Sequence, residues 1–314
     1  MPPSRATDCW YLTGPTASGK TEVGVALAER IGAEIVSMDS MALYRGMDLG
    51  TAKPLARQRE AVPHHLVDVL EPHQEYSLAR YLEAALRCIE EIRGRGREVL
   101  FVGGTPLYLK GLLRGIFEGP PADWQLRRQL EEEARSHAPG HLHGRLAGVD
   151  PAAAQRLHPN DTRRLIRALE VFLKTGRPIS SLQQQFETGL KAGACRVFVL
   201  DWPREELARR IDRRVEAMFS AGLVDEVRQL LARPEPLSRT AAQALGYREV
   251  LDCLAGRVGL EQTIELVKLH TRQFAKRQRT WFRSLSECRF VPAHPSLGGT
   301  EISEMVSRLA TPRS

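Results

Sequence analysis

The residues best suited to chemistry form a glycine-rich loop near the N-terminus. Residues 14–21 read GPTASGKT and fit the spacing G-x-x-x-x-G-K-S/T, between a short apolar run and a helical pattern. The glycines allow backbone N–H groups to face phosphate oxygens, Lys20 adds a positive charge, and the Thr21 hydroxyl can bind magnesium. This phosphate loop, a P-loop, predicts a diphosphate or triphosphate site but specifies no reaction. Its residues are Gly14, Pro15, Thr16, Ala17, Ser18, Gly19, Lys20 and Thr21.

Asp39 is the second candidate, because it follows residues 35–38, which read IVSM. That run predicts the strand after the phosphate-loop helix, so Asp39 should lie beside the phosphate site. Its position alone leaves three roles open: a magnesium ligand acting through water, a base, or a cap on a turn.

Thr105 is the third candidate, at the end of the Gly103-Gly104-Thr105 sequence that follows the apolar residues 99–102. Nucleotide hydrolases that rely on a Walker-B carboxylate normally end such a strand in aspartate. Here the two glycines allow another backbone segment to approach closely. The alternative for Thr105 is a helix cap with no part in the site.

The elements that would position these residues alternate between strand and helix. This order predicts an α/β fold with a parallel, P-loop NTPase-like sheet, in which ligands bind at the C-terminal edge of the strands. The predicted strands are residues 10–13, 35–38, 65–70, 99–102 and 197–200, and the main early helices are residues 20–31 and 78–93.

A helical insertion is predicted to interrupt this core. Residues 120–192 contain no convincing strand, and residues 124–137, 151–157 and 161–174 have helical periodicity. We therefore expect three parts: a first part of the core over residues 1–119, an all-helical insertion domain over 120–192, and a second, mostly helical part of the core over 193–314.

The C-terminal region predicts a long helix with an apolar and a basic face. Because the segment of residues 268–283 contains six cations and no acid, we interpret the basic face as an RNA contact, with a solvated surface as the alternative. The predicted buried face consists of Leu260, Ile264, Val267, Thr271, Phe274, Gln278, Trp281 and Leu285. The cations are Lys268, Arg272, Lys276, Arg277, Arg279 and Arg283.

Composition limits the class of protein. The chain has 314 residues, a formal net charge of +7 and five scattered cysteines. The positive charge favours a polyanionic partner, and the cysteine spacing argues against a disulfide framework or a zinc site. No apolar run is long enough to span a membrane, and no signal-peptide core is evident, so we expect a cytoplasmic protein.

Several longer segments resemble the tRNA dimethylallyltransferase family, also called tRNA isopentenyltransferase. The resemblance runs from about residue 10 to 285, in order, and it is closest to the bacterial members. The matching segments are GPTASGKT at 14–21, DSMALYRGMDLGTAKP at 39–54, PHHLVDV at 63–69, VGGTPLYLKGLL at 102–113, HPNDTRRLIRALEVFLKTGRP at 158–178, QALGYREV at 243–250 and TRQFAKRQRTWFR at 271–283.

The resemblance implies a reaction and roles for particular residues. Dimethylallyl diphosphate and an adenine beside the tRNA anticodon would enter a channel from opposite ends, with magnesium as cofactor. Asp39 would be the general base, Arg214 would help to bind the diphosphate, and Thr105 would lie at the catalytic centre. The implied tRNA-contacting residues are Asp39, Ser40, Met41, Ala42, Thr105, Arg127, Arg163, Arg164, Leu165, Ile166, Arg167, Gly246, Tyr247 and Arg248.

Two positions depart from the family pattern. Ala42 stands where many members have glutamine, which removes a side-chain contact to RNA, and Pro106 replaces a frequent glycine after Thr105, which stiffens the start of that helix. The partners implied are the tRNA anticodon loop and dimethylallyl diphosphate, with no membrane, and we expect a monomer.

Three other functions share part of these features. A P-loop kinase for a small metabolite shares the phosphate loop, and an RNA-binding protein could use that loop as a switch. The same transfer onto free AMP would keep the chemistry and change the acceptor. The basic C-terminal helix and the helical insertion favour tRNA as the acceptor.

Overall fold

The structure is a computed structural model that describes residues 4–117, 119–183, 189–190 and 193–310. The chain forms two compact units: one contains Met1–Leu113 and Gly189–Ser314, and the other contains Arg114–Thr188. The predicted insertion, 120–192, ends in residues that lie partly outside the described ranges.

The larger unit is built on a six-stranded sheet in which all described pairings are parallel, and this confirms the predicted fold class. The strand order is β3-β2-β4-β1-β5-β6. The central strand is thus the one that leads into the phosphate loop. The strands are β1 Trp10–Thr13, β2 Ala33–Ser37, β3 His64–His65, β4 Glu98–Gly103, β5 Arg196–Asp201 and β6 Arg289–Pro292.

Sixteen helices are described in the two units. They are α1 Ser4–Thr7, α2 Lys20–Ile31, α3 Ala56–Ala61, α4 Leu78–Gly94, α5 Pro106–Arg114, α6 Trp124–Ser136, α7 His141–Val149, α8 Pro151–Arg156, α9 Thr162–Thr175, α10 Ile179–Leu182, α11 Arg204–Ser220, α12 Leu223–Leu231, α13 Arg239–Ala242, α14 Tyr247–Leu254, α15 Leu260–Arg283 and α16 Gly299–Ala310. Among the described helices, none combines the length and the apolar character that crossing a bilayer requires.

The core of the larger unit fixes the phosphate loop from below. Leu12 of β1, Leu27 of α2 and Leu100 of β4 are fully buried in one apolar cluster. Helix α2 begins after Gly19, whose φ of 85° suits glycine, and ends at Gly32, whose N–H donates to the Ala28 carbonyl. The strand–loop–helix unit is therefore rigidly supported on the side away from the site.

Two strand predictions were wrong in detail. Of the predicted strand at residues 65–70, only His65 lies in β3, because Leu66 and Asp68 adopt left-handed conformations with φ of 57° and 56° that end the strand. Strand β6 was not predicted. It is a four-residue edge strand that contains Arg289 and Pro292, so its sequence lacks a distinct apolar pattern.

The smaller unit contains α6 to α10, and no strand is described in it. Its core includes Leu130 of α6, Leu146 of α7 and Leu169 of α9. Asp123 and Asp161 cap α6 and α9 by accepting hydrogen bonds from the backbone N–H groups of Leu126 and Arg164. The helical segments predicted at 124–137, 151–157 and 161–174 coincide with α6, α8 and α9.

Helix α15 is present as predicted, but its buried face was partly wrong. Leu260 is 51% exposed and Phe274 is 37% exposed, and Phe282 is buried where Trp281 was expected. The buried face contains small and polar side chains. Selecting the largest apolar residues therefore predicts the wrong orientation of this face about the helix axis. The buried residues are Thr263, Val267, Thr271, Ala275, Gln278 and Phe282.

Candidate active site

The phosphate loop connects the central strand to α2 at the C-terminal edge of the sheet. Gly14 has φ of 150° and packs so closely that a Cβ there would lie 3.0 Å from the Leu200 carbonyl oxygen. Lys20 begins α2, and its Nζ donates to the Pro15 carbonyl at 2.7 Å. The helix N-terminus, with its unpaired N–H groups, is thus directed into the loop, as an anion site requires.

Two side chains that the sequence did not single out hold the outer side of this loop. Arg210 of α11 donates from Nε to the Ala17 carbonyl at 2.8 Å. Trp202 donates from Nε1 to the Ser18 carbonyl at 2.9 Å. The Ser18 N–H, between these two carbonyls, donates to the Pro15 carbonyl at 3.3 Å, so these bonds together fix the conformation of the loop.

Three charged residues act on one another beside the loop. Burial, and then the positive charge of Arg214, lower the pKa of Lys20 from 10.5 to about 7, whereas Asp39 raises it. Burial also lowers the pKa of Arg214, and Asp39 again opposes the shift. Two cations therefore share a poorly solvated site with one carboxylate, an arrangement in which a bound anion would be strongly stabilised.

Asp39 and Thr105 belong to adjacent loops that are bonded to each other. Asp39 Oδ1 accepts from the Met41 N–H at 2.9 Å, and the Thr105 hydroxyl oxygen accepts from the Ser40 N–H at 3.1 Å. The two loops are close because Gly103 has no side chain: a Cβ there would lie 2.1 Å from the Met38 carbonyl oxygen. The Thr105 hydroxyl therefore holds the Asp39 loop.

Gln278 of α15 was predicted to be buried, but its contact with the site was missed. Its side chain is 3% exposed, and Oε1 accepts from the Thr16 N–H at 2.9 Å while Nε2 donates to the Gly104 carbonyl at 2.6 Å. A glutamine within a buried stripe was the available signal, because a buried amide requires partners.

Arg214 and Tyr247 support the loop that follows Asp39. Arg214 Nη2 donates to the Thr51 carbonyl at 3.3 Å. Tyr247 is fully buried, its hydroxyl donates to Glu226 Oε1 at 2.6 Å, and its ring lies against Gly50, where a Cβ would be 2.3 Å from Cε2. Gly246, Tyr247 and Arg248 were predicted to contact tRNA. Among them, Arg248 has an accessible side chain, which is 43% exposed.

In the smaller unit, the predicted RNA-contacting residues differ in accessibility. Arg127 forms two hydrogen bonds with the buried Glu170, at 2.9 and 2.8 Å, and Arg167 pairs with the same carboxylate. Leu165 and Ile166 are 1% and 4% exposed and belong to the core of this unit. Arg163 and Arg164 are exposed.

The basic face of α15 is more balanced by acids than its sequence indicated, so that premise was wrong. Acids from elsewhere in the larger unit pair with four of its cations, and Glu265 of α15 also pairs with Lys268. Lys276 and Arg277 are exposed, and they form no ion pair within the described part of the chain. The pairs are Lys268 with Glu216 and Glu265, Arg272 with Asp212, and Arg279 and Arg283 with Asp201.

The chain matches two related family models. The model described as IPP transferase matches residues 42–285, and the one described as isopentenyl transferase matches residues 7–68. Together they cover both the phosphate loop and the segments around Asp39, Thr105, Arg214 and Gln278.

Similar proteins from other organisms share one name. A tRNA dimethylallyltransferase of Rhodopirellula baltica is 46% identical over 310 residues, which is 96% of this chain and 93% of that protein. One from Geobacter metallireducens is 48% identical over 276 residues, 88% of this chain and 89% of the relative.

Solved structures agree with these relatives. The full-length tRNA isopentenylpyrophosphate transferase of Bacillus halodurans has a TM-score of 0.70 at 38% identity, covering 97% of this chain and 96% of its own. A eukaryotic dimethylallyltransferase, described as acting on tRNA, has a TM-score of 0.75 at 28% identity, covering 95% of this chain and 77% of its own. With the phosphate loop, Asp39 and Arg214 placed at one sheet edge, these matches show that the chain belongs to the IPP transferase family.

Proposed function

We propose that this enzyme transfers the dimethylallyl group of dimethylallyl diphosphate to the exocyclic amine of the adenine adjacent to the tRNA anticodon. The observation that carries the proposal is that Lys20 of the phosphate loop and Arg214 both interact electrostatically with the carboxylate of Asp39. One group of residues suits a leaving diphosphate, and the other suits a proton that must be removed.

The leaving diphosphate gains negative charge during the reaction, and this charge must be stabilised. When the allylic carbon–oxygen bond breaks, the electron pair stays on the diphosphate, whose negative charge increases. The backbone N–H groups at the start of α2, with Lys20 and Arg214, would stabilise that charge in a site of low solvation. Burial and the charge of Arg214 lower the pKa of Lys20 to about 7, so a bound anion would favour the charged form of Lys20.

Asp39 is assigned the proton. An aromatic amine is a weak nucleophile because its lone pair is delocalised, but its proton becomes acidic as the new nitrogen–carbon bond forms. A carboxylate is then a sufficient acceptor. The bond from the Met41 N–H to Oδ1 orients Asp39 and leaves its other oxygen for the amine.

Magnesium fits the donor set in one way. The described residues contain no group of three or more His, Cys, Asp or Glu side chains that could hold a metal ion. The Thr21 hydroxyl, in the first turn of α2, would supply one ligand, and phosphate oxygens and water would supply the others, as is usual for magnesium. Bound there, the ion would add positive charge against the leaving diphosphate.

The RNA partner follows from the acceptor. An adenine in an anticodon loop must leave its stack to reach a carboxylate at a sheet edge, at a cost of a few kcal/mol. Recognition of single-stranded loops relies on backbone and stacking contacts. We assign these to Ser40 and Met41, which are partly exposed whereas Ala42 is buried, to the accessible Arg248, and in the smaller unit to Arg163 and Arg164.

Transfer of label tests the proposal directly. Purified enzyme is incubated with dimethylallyl diphosphate labelled in the allyl group and with total tRNA from cells that lack the modification. We expect one label per modified adenine, one diphosphate released per transfer, and no requirement for ATP. A requirement for ATP with consumption of its γ-phosphate would instead identify a kinase, and labelling of free AMP in preference to tRNA would change the acceptor.

A further inference from the structure

Gln278 joins three segments that are far apart in the sequence. It projects from the middle of α15, its Oε1 accepts from the Thr16 N–H, and its Nε2 donates to the Gly104 carbonyl. Both ends of one buried amide are therefore satisfied by backbone groups, one in the phosphate loop and one in the turn before Thr105. Within this larger unit, the amide ties α15 to both loops.

The bonded groups lie at the centre of the diphosphate site. Thr16 stands between Pro15, whose carbonyl accepts from Lys20, and Ala17, whose φ of 62° is held while its carbonyl accepts from Arg210. On the other side, a Cβ on Gly104 would lie 2.8 Å from Gln278 Nε2 and 3.5 Å from Lys20 Nζ. The Gln278 amide and the Lys20 ammonium thus flank the same backbone position.

The bonds of Gln278 make a specific geometric demand. The Thr16 N–H can only donate and the Gly104 carbonyl can only accept. A side chain that binds both must therefore carry one acceptor and one donor in a single planar group, at the reach of a glutamine. A hydrocarbon side chain would leave both backbone groups buried without partners, which is costly and favours a different loop conformation.

We propose that Gln278 is a positioning residue for the leaving diphosphate: it fixes Thr16 and Gly104 so that the phosphate loop and Lys20 hold the diphosphate as the allylic bond breaks. This inference rests on the proposed function. A residue that only held α15 in place would affect the stability of the fold. The role proposed here predicts in addition a specific effect on the binding of one substrate, the allylic diphosphate.

Gln278→Leu tests this role, with Gln273→Leu as the matched control on the exposed face of the same helix. We expect Gln278→Leu to raise the KM for dimethylallyl diphosphate roughly tenfold or more, while the Kd for tRNA changes less than about twofold. Gln273→Leu should leave both values unchanged. Equal losses for both substrates, in proportion to a loss of folded protein, would assign Gln278 to stability only.

Gln278→Glu gives a signature that a structural role would not produce. A protonated carboxyl carries one donor and one acceptor, as the amide does, whereas the ionised form repels both the Gly104 carbonyl and the diphosphate. Burial beside the Gly104 carbonyl should raise the pKa of the introduced carboxyl above its ordinary value of about 4.3, so activity relative to the wild type should recover as the pH falls from about 8 to about 5.5. For Gln278→Leu the same ratio should stay flat. A flat ratio in Gln278→Glu would overturn the proposal.

Binding of inorganic diphosphate, without tRNA, separates this inference from the proposed function. If the wild type binds diphosphate but transfers no label to tRNA, the function is wrong. If Gln278→Leu binds diphosphate as tightly as the wild type does, the positioning role is wrong, whatever the reaction.

Discussion

The guanidinium carbon of Arg210 lies 4.1 Å from the centre of the Trp202 ring, and the two side chains bind consecutive carbonyls of the phosphate loop. Trp202 is 3% exposed and follows β5 directly, so it is fixed by the sheet. The ring in turn fixes Arg210, because stacking limits the conformations of the arginine. The phosphate loop is thereby attached to β5 through the side chains of Trp202 and Arg210.

Replacing the tryptophan tests this support. Trp202→Phe retains an aromatic ring for Arg210 but removes the donor to the Ser18 carbonyl, which remains buried. We expect the free energy of unfolding to fall by about 1–2 kcal/mol and diphosphate to bind several-fold more weakly. Denaturant unfolding and calorimetric titration measure the two effects. Trp124→Phe, at a site 47% exposed, is the control and should change neither quantity appreciably.

Asp39→Asn tests the base. The substitution preserves shape and removes the proton acceptor, so the rate of transfer should fall by roughly 10²-fold or more while tRNA affinity changes little. Single-turnover transfer and filter binding provide the two measurements. Near-normal turnover of Asp39→Asn would remove Asp39 from this role.

The lowered pKa of Lys20 predicts pH-dependent binding. With a pKa of about 7, the free enzyme loses the Lys20 charge as the pH rises through 7, whereas bound diphosphate favours the charged form. At pH about 8, the wild type should therefore take up close to one proton more on binding diphosphate than Lys20→Met takes up. The affinity of the wild type for diphosphate should decline as the pH rises. Calorimetry in buffers of different ionisation enthalpy counts these protons. Equal uptake by the wild type and Lys20→Met would show that Lys20 is not the titrating group.

The ion pairs of α15 predict which cations bind RNA. Lys276 and Arg277 are exposed and available, whereas Arg272 and Arg279 are paired with Asp212 and Asp201. Replacing Lys276 and Arg277 by Ala should flatten the slope of log affinity for tRNA against log salt. The expected change is about 0.7 for each RNA phosphate that the replaced side chains neutralise in the wild type.

Arg272→Ala is the control for this measurement. Its guanidinium is bound to Asp212, so the variant should change the salt slope by less than the Lys276 and Arg277 double variant does. If the double variant keeps the slope of the wild type, the face of α15 is a solvated surface, and the RNA-binding residues should be sought at Arg163 and Arg164.

The parts of the site that the sequence revealed depend on local rules. The spacing of Gly14, Gly19 and Lys20 and the position of Asp39 after a strand are short-range patterns, and they placed the site at the correct edge of the sheet. The contacts of Arg210 and Gln278 with the phosphate loop were not predicted, because they form only when α11 and α15 pack against the loop. The periodicity of a helix predicts which face is buried, but it does not predict which backbone group of a distant loop a side chain will contact.

The same limit explains the face of α15. Its sequence contains no acid between Lys268 and Arg283, and the partners Asp201, Asp212 and Glu216 come from a strand and a helix much earlier in the chain. Charge balance is a property of the packed unit, so a count along one helix overestimated the free positive charge.

The order of the strands also affects how the chain folds on the ribosome. The central strand pairs on one side with β4, at Leu100, and on the other with β5, at Arg196. Residues 114–188 form a separate compact unit, and its described elements are helices. During synthesis, one edge of the central strand must therefore remain without its partner while this whole unit is made, and the nascent sheet is open to pairing with other chains until β5 emerges.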